Sequence, residues 1–174
     1  MSLQLDTPRL HLRQWRDSDI DAYAALCADE EVMRYLGGHT LSREEAWRHM
    51  AVMAGHWQLK GFGHWAVEHR ETGVCIGRLG FLQPEGWPGF EIGWCIAREY
   101  QGQGLASEGA RAALKWAFSD PERDEVISII HPDNLASKRL ALGLGERYWR
   151  DEVVRGFDVE IYGITRQQYR ETQG

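Results

Sequence analysis

The spacing of hydrophobic residues divides the chain into strand-like and helical segments. Apolar and polar residues alternate from 10 to 15, which predicts an opening strand. Ser18 or Asp19 can cap the helix that follows and runs through Leu26. The chain is therefore expected to begin with a strand and a helix.

A second helix and a group of strands follow. Ser42 begins the sequence S-R-E-E, a capping box, and apolar residues recur behind it at helical spacing, which predicts a helix over about 42 to 59. Short turn sequences then separate three β-rich segments, 64–69, 74–82 and 90–96. Short turns between consecutive strands are typical of an antiparallel meander.

The second half of the chain mixes helices and strands. The pattern predicts a helix at about 104–118, a strand at 125–130, a helix at about 134–143 and two strands flanking Gly156. No repeat, low-complexity tract or long linker interrupts the sequence. We therefore expect one α/β (α+β) domain over residues 1–174.

Composition and charge narrow the range of partners. The formal net charge of -6 and the pI near 5.6 argue against nucleic acid or an anionic membrane as the main partner. Cys27, Cys75 and Cys95 lie far apart and include no CxxC, which favours reduced thiols. No signal-peptide core and no apolar run of membrane-spanning length occurs, so a cytoplasmic location is expected.

The segment from Gln101 to Ala106 joins a strand directly to a helix and contains two glycines, Gly102 and Gly104. The first turn of a helix has backbone N–H groups without intrahelical partners, which can bind phosphate without a lysine. Glycine lets the backbone approach closely, and Gln101 and Ser107 can add side-chain donors. The segment therefore predicts a cradle for a diphosphate.

Two other phosphate motifs compare poorly with this segment. A P-loop needs Gly-Lys-Ser/Thr at its end, which is absent. A dinucleotide fingerprint would place Ser107 at its third glycine and use Glu122 or Asp124 on the ribose. That fold needs its glycine loop after the first strand of alternating βαβ units, whereas here a meander precedes it. Dinucleotide binding is thus the weaker alternative.

On these residues the chain resembles the GNAT superfamily of N-acetyltransferases, whose signature is Gln or Arg, two residues, Gly, one residue, then Gly or Ala. Gln101, Gly104 and Ala106 match it. The similarity is closest to the RimJ/RimL type, the ribosomal-protein N-terminal acetyltransferases, and extends over nearly the whole chain. The further segments that carry it are 7–13, 29–36, 91–94, 134–139 and Asp158 with Tyr162.

The resemblance implies the GNAT acyl-CoA N-acyltransferase fold, a mixed, mostly antiparallel sheet of about seven strands flanked by about four helices. It also implies acetyl-CoA as cosubstrate, with the pantetheine arm along 94–96 and Asn134 reaching the arm from the other side. The cofactor-binding residues expected by resemblance and from the cradle are Trp94, Cys95, Ile96, Gln101, Gly102, Gln103, Gly104, Leu105, Ala106, Ser107, Asn134, Ser137 and Lys138.

Four positions depart from the family pattern. Ala141 stands where many members have a tyrosine, so a tyrosine acid at that site is excluded. Leu142-Gly143 replaces the usual Glu-Lys pair, and Glu146 replaces a common aromatic residue. The catalytic groups must therefore be sought elsewhere.

The implied reaction is the attack of a neutral primary amine on the thioester carbonyl, so a group must accept the proton of the amine. Glu91, on the strand that enters the cradle, is the expected general base, through a water; pairing with an arginine is an equally open role for it. Asp158 and Glu160 are alternatives on the last strand.

Ser137 matches the family position of the residue that protonates the departing thiolate. A serine hydroxyl is a far weaker acid than a thiol, so Ser137 fits better as a hydrogen-bond donor or a proton relay. His49 and His56 lack a third ligand at zinc-like spacing, so no metal is expected.

Three functions are compatible with the sequence. The first is acetylation of a protein or peptide N-terminus, and the second is acetylation of a small amine. The third is a catalytically silent acyl-CoA-binding module. The expected partners are acetyl-CoA and an amine, without nucleic acid or membrane, and a homodimer is a further possibility.

Overall fold

A computed structural model describes residues 3–174 of the chain. The strands are β1 (Leu5–Asp6), β2 (Leu10–Arg13), β3 (His64–His69), β4 (Cys75–Leu82), β5 (Glu91–Ile96), β6 (Glu125–Ile130), β7 (Arg147–Val154) and β8 (Phe157–Thr165). The helices are α1 (Ile20–Cys27), α2 (Glu30–Met33), α3 (Arg43–Lys60), α4 (Leu105–Phe118), α5 (Leu135–Gly143) and α6 (Arg166–Gln173).

The strands form one sheet in the order β1-β2-β3-β4-β5-β6-β8-β7. Neighbours are antiparallel except β5 and β6, which are parallel and share a single register pair, Glu91 with Ile127. The Ile127 amide donates to the Phe90 carbonyl at 3.0 Å. Beyond this pair the ladder stops, and the two strands separate toward their carboxyl ends. We call this opening the fork.

Helices cover both faces of the sheet. On β4, Leu79 belongs to the core that includes α4, whereas its neighbour Arg78 points toward Tyr23 of α1. Adjacent residues of a strand point to opposite faces, so α4 and the α1–α3 pair lie on opposite sides. The α4 side holds most of the large apolar side chains, including Trp65 and Phe81, which are fully buried.

Local sequence explains where α3 begins and ends and where α4 begins. Ser42 caps α3 by accepting a hydrogen bond from the Glu45 amide at 3.2 Å, and Gly61, with φ of 78°, ends it. Before α4, Gly102 and Gly104 both have positive φ, which other residues adopt at a cost. Gly104 is the N-cap of α4, as its place in the cradle predicts.

The structure confirms the fold class and the predicted elements, with eight strands and six helices in the described part of the chain. The strand predicted at 125–130 and the meander are in place. Strand β1 and helices α2 and α6 were not predicted. β1 and α2 are too short to show periodicity, and α6 is polar throughout, so no apolar stripe indicated it.

Within residues 3–174, no helix combines the length and the apolar character that crossing a membrane requires.

Gly77 holds β4 close to β5 at the end of the strand that enters the cradle. A Cβ at Gly77 would lie 2.0 Å from the backbone oxygen of Cys95, which cannot move without shifting β5. We expect Gly77→Ala to lower the free energy of unfolding by about 2 kcal/mol, measured by urea denaturation. Gly55→Ala, in α3 with nothing within 4 Å, is the control and should stabilise the chain or leave it unchanged. Equal stability of both variants would contradict the close strand approach.

Candidate active site

A cleft of about 690 Å³ opens at the fork, where the end of β5 meets the first turns of α4 and α5. It contains eleven of the residues predicted to bind the cofactor. These are Trp94, Cys95, Ile96, Gln101, Gly102, Gly104, Leu105, Ala106, Ser107, Asn134 and Ser137. Residues that lie far apart in sequence therefore line one continuous space.

The first turn of α4 forms one wall of the cleft. The Glu108 amide donates to the Gly104 carbonyl at 3.0 Å and closes the first helical turn. The amides of Leu105, Ala106 and Ser107 precede that bond and lack intrahelical partners, so they form an anion-binding end. The positive end of the helix dipole adds to the attraction for a phosphate.

Side chains on neighbouring elements hold the cradle loop in place. Gln101 donates from Nε2 to the Ile96 carbonyl at 2.9 Å, which ties the loop back to the end of β5. Arg9 donates from Nη1 to the Gln103 carbonyl at 2.8 Å and pairs through Nε with Glu108 at 2.8 Å. The conformation of the loop is thus fixed before any anion binds.

The first turn of α5 forms the opposite wall. Asn134 caps this helix by accepting a hydrogen bond from the Ser137 amide at 3.2 Å. Ser137 accepts at its hydroxyl a hydrogen bond from Nε1 of Trp94 at 3.1 Å. Trp94 therefore spans the fork from β5 to α5, and the Ser137 hydroxyl hydrogen is left to donate toward another acceptor.

Helix α2 and the residues after it line the cleft on a third side, from Glu31 to Leu36. Asp29 caps α2 and pairs with Arg98, just beyond the end of β5. This ion pair connects the α2 segment to the strand that enters the cradle. The sequence indicated this segment only through the family resemblance, because a helix of four residues has no periodicity of its own.

Several predicted residues lie outside the cleft. Gln103 does not line it, and Lys138 turns toward the last strand, where its Nζ pairs with Glu160 at 2.7 Å. Glu160 and Asp158 line a separate depression beside Pro132, so neither alternative base borders the cleft. Strand β8 pairs with β6 and not with β5, and this order of strands cannot be seen in the sequence. The sequence therefore could not show that Asp158 and Glu160 lie away from the fork.

Glu91 is not among the residues that line the cleft; it lies at the vertex of the fork and is 9% exposed. Trp87 donates from Nε1 to its carboxylate at 3.0 Å, and the Ile129 amide donates to it from β6. Burial raises the pKa of Glu91 to about 7, although these bonds and the charge of Arg78 favour the ionised form. A carboxyl group with this pKa can exchange a proton near neutral pH.

A second carboxyl group fills the vertex from the α4 side. Glu146 is fully buried, and its two oxygens lie 3.0 and 2.9 Å from the Ser128 hydroxyl, which also lies 3.3 Å from the Ile92 carbonyl. One hydroxyl hydrogen cannot serve all these acceptors, and among the described residues no cationic side chain lies within 4 Å of the Glu146 carboxylate. Burial and the nearby Glu91 raise the pKa of Glu146 to about 8, although the hydrogen bond that Ser128 donates to it favours the ionised form, so the neutral acid predominates below pH 8.

Glu146 and Ser128 were not among the predicted site residues. The only signal was a charged residue directly after Gly145, at a position where the family resemblance leads one to expect an aromatic side chain. Nothing in the pattern showed that Glu146 would be buried beside Glu91.

Among residues 3–174, no three or more His, Cys, Asp or Glu side chains are grouped so that they could hold a metal ion.

Glu146→Gln should raise the free energy of unfolding at pH 8. The folded chain keeps the proton of Glu146 up to about pH 8, whereas the unfolded chain releases it near 4.5. The stability that this proton gives is therefore complete below pH 4.5 and is lost as the pH rises to about 8. A glutamine keeps the shape and a donor for Ser128 without ever carrying charge.

The variant should match the wild type near pH 4 and exceed it by roughly 4 kcal/mol at pH 8, measured by denaturant unfolding. Glu125→Gln, exposed on the same strand as Ser128, is the matched control and should show no such pH-dependent gain. A loss of stability in Glu146→Gln at pH 8 would show that Glu146 is charged and paired.

The comparisons with known proteins agree with this geometry. The family model described as Acetyltransferase (GNAT) domain matches residues 9–147. The uncharacterized N-acetyltransferase YoaA of Bacillus subtilis (strain 168) is 31% identical over 172 residues, covering 93% of this chain and 96% of the relative. The crystal structure of the acetyltransferase from Agrobacterium tumefaciens str. C58 is 27% identical with a TM-score of 0.83, covering 92% of this chain and 93% of that one.

The fold is also shared with the aminoglycoside acetyltransferase AAC(6')-Ib solved in complex with coenzyme A. Its TM-score is 0.79 at 18% identity, over 95% of this chain and 99% of that chain. The chain therefore belongs to the GNAT family and is an acetyltransferase that uses acetyl-CoA as its cosubstrate.

Proposed function

We propose that this enzyme acetylates a primary amine by direct attack on the thioester, with Glu91 as the general base. The observation that carries the proposal is the place of Glu91: a buried carboxyl group at the vertex of the fork, with a pKa of about 7. It accepts the proton of the amine, directly or through one water, so that the neutral nitrogen attacks the carbonyl carbon. The products are an amide and free coenzyme A.

The cofactor lies in the cleft in this proposal. The diphosphate binds the amides of Leu105, Ala106 and Ser107, and Gly102 and Gly104 allow its close approach. The pantetheine arm follows β5 at Trp94 to Ile96, where the fork leaves backbone groups of β5 unpaired by β6. Asn134 and Ser137 contact the arm from α5.

Ser137 serves the departing thiolate as a hydrogen-bond donor. Its oxygen already accepts from Trp94, so its own hydrogen can point into the cleft toward the sulfur. Lys138 pairs with Glu160 and does not line the cleft, so we assign it no contact with the cofactor in this proposal.

The acceptor is a protein or peptide N-terminus, as in the RimJ/RimL type that the chain resembles, or a small amine. The segments 7–13, 29–36 and 134–139 support the RimJ/RimL type. The raised pKa of Glu91 supports an active enzyme over a catalytically silent acyl-CoA-binding module. A cytoplasmic location, expected from the sequence, and a homodimer, which the sequence only leaves open, stay proposals.

The test of the function is incubation of the enzyme with acetyl-CoA and a panel of amines, with release of free thiol as the signal. Intact-mass analysis of peptides in the same panel separates N-terminal acetylation from acetylation of small amines. Coenzyme A binding without turnover on any amine would favour the silent module.

Glu91→Gln should lower kcat by about 100-fold, because glutamine cannot accept a proton. In the wild type, kcat/KM should rise as the pH increases through about 7, where Glu91 ionises, in addition to the rise caused by the amine. The pH profile of the variant should retain only the rise caused by deprotonation of the amine. Its Kd for coenzyme A should be unchanged. Glu85→Gln, an exposed residue ahead of β5, is the control. A wild-type pH profile in Glu91→Gln would exclude Glu91 as the base.

Gly104→Val should weaken coenzyme A binding about tenfold, or about 1.4 kcal/mol, measured by calorimetry. Valine is strained at a φ of 77° and places methyl groups beside the amides that receive the diphosphate. Gly86→Val, at a φ of 83° in the loop before β5 with nothing within 4 Å, carries the same strain away from the cleft. Unchanged affinity in Gly104→Val would refute the cradle.

A further inference from the structure

The face of the sheet toward α1 and α3 carries more than the proposed base. His64, Gly80 and Gly93 lie opposite one another across β3, β4 and β5, and Arg78 lies in the neighbouring row. Side chains alternate along a strand, so Glu91, two residues before Gly93, faces the same side. His64, Arg78 and the proposed base Glu91 therefore lie on the same face of the sheet.

The two glycines make room for the imidazole of His64. Without side chains at Gly80 and Gly93, the ring extends across the sheet, and a Cβ at Gly93 would lie 3.1 Å from its Nε2. Gly93 and Trp94 are partly exposed to solvent, whereas the two residues before them and the two after them in β5 are buried. The edge of the ring thus ends beside an open position of β5, next to the fork.

His64 presents an unused hydrogen-bond donor at that edge. Arg78 lies with Nη1 3.1 Å from Nδ1 of His64, and since a guanidinium only donates, Nδ1 accepts. Burial and the charge of Arg78 hold the pKa of His64 well below its usual value, so the neutral ring carries its hydrogen on Nε2. His64 is 1% exposed, and its Nε2 has no partner in the described residues.

Arg78 brings a positive charge that this part of the structure does not balance. Within residues 3–174 no carboxylate lies within 4 Å of its guanidinium. Its neighbours are His64 and Tyr23, whose hydroxyl bonds His49 at 2.6 Å. Arg13, by contrast, is buried against two carboxylates. A partly buried cation without a counter-ion favours an anionic ligand.

We propose that Arg78 and His64 bind the carboxylate of the acceptor, which is therefore an amino-acid-like amine whose amino group lies at Glu91. This inference rests on the proposed function and names the substrate class of that site. Positions 91 and 93 lie roughly 7 Å apart along β5, a distance that an α-amino acid spans together with a hydrogen bond at each end. His64 donates from Nε2 to a carboxylate oxygen, and Arg78 balances the charge.

The test compares acceptors that differ only at the carboxylate: a free amino acid, its carboxamide and the corresponding decarboxylated amine. The wild type should use the amino acid with a kcat/KM about tenfold above that of the other two. Arg78→Met should remove this preference: loss of the charge raises the pKa of Glu91 and affects all three acceptors, and kcat/KM for the amino acid should fall about tenfold more than for the other two. The variant should be no less stable than the wild type, because methionine replaces an unpaired charge. Arg43→Met, at an exposed arginine of α3, is the control.

Binding without turnover supplies a second readout. With coenzyme A present, the wild type should bind an N-acetyl amino acid more tightly than its amide, measured by calorimetry, and both Arg78→Met and His64→Phe should lose the difference. This comparison within the wild type does not depend on whether either variant folds.

Equal use of all three acceptors by the wild type would overturn the carboxylate site while acetylation of amines stands. An equal loss on all three in Arg78→Met would do the same. If no amine were acetylated, the proposed function would fail, and the binding comparison would decide this inference alone: equal affinity for the acid and the amide would overturn it.

Discussion

The separation of β5 from β6 is the constraint on which the rest of the site depends. Two parallel strands that share one register pair must leave backbone groups unpaired beyond it, and those groups need another partner. The gap also places the end of β5, the start of α4 and the start of α5 around one space, because ligands in such sheets bind beyond the carboxyl ends of parallel strands. The cleft is a direct consequence of this break in pairing.

The same break explains why carboxyl groups occur deep in the sheet. At the vertex, the Ser128 hydroxyl lies within hydrogen-bond distance of the Ile92 carbonyl, where a ladder bond is missing, and of the Glu146 carboxyl group. Glu91 enters from the other face, where Trp87 and the Ile129 amide support it. Burial raises the pKa of both carboxyl groups, and the nearby Glu91 raises that of Glu146 further, which places proton exchange near neutral pH.

The two faces of β5 have different roles. Trp94 and Ile96 turn toward α4 and α5, where the cradle and the cap at Asn134 lie. Glu91, Gly93 and Cys95 turn toward α1 and α3, where the polar group of Arg78 and His64 lies. Alternation along six residues of one strand thus separates the side that we assign to the cofactor from the side that we assign to the acceptor.

The sequence by itself determined most of the elements and the strand–loop–helix joint of the proposed cradle, because strand alternation, the cap at Ser42 and the glycines at 102 and 104 are local signals. It also indicated Glu91, through its place before the cradle. Only the tertiary structure decided which distant side chains meet. Glu146 beside Glu91, and Arg78 without a counter-ion, depend on strand register and on the order of strands in the sheet, which act between segments far apart along the chain.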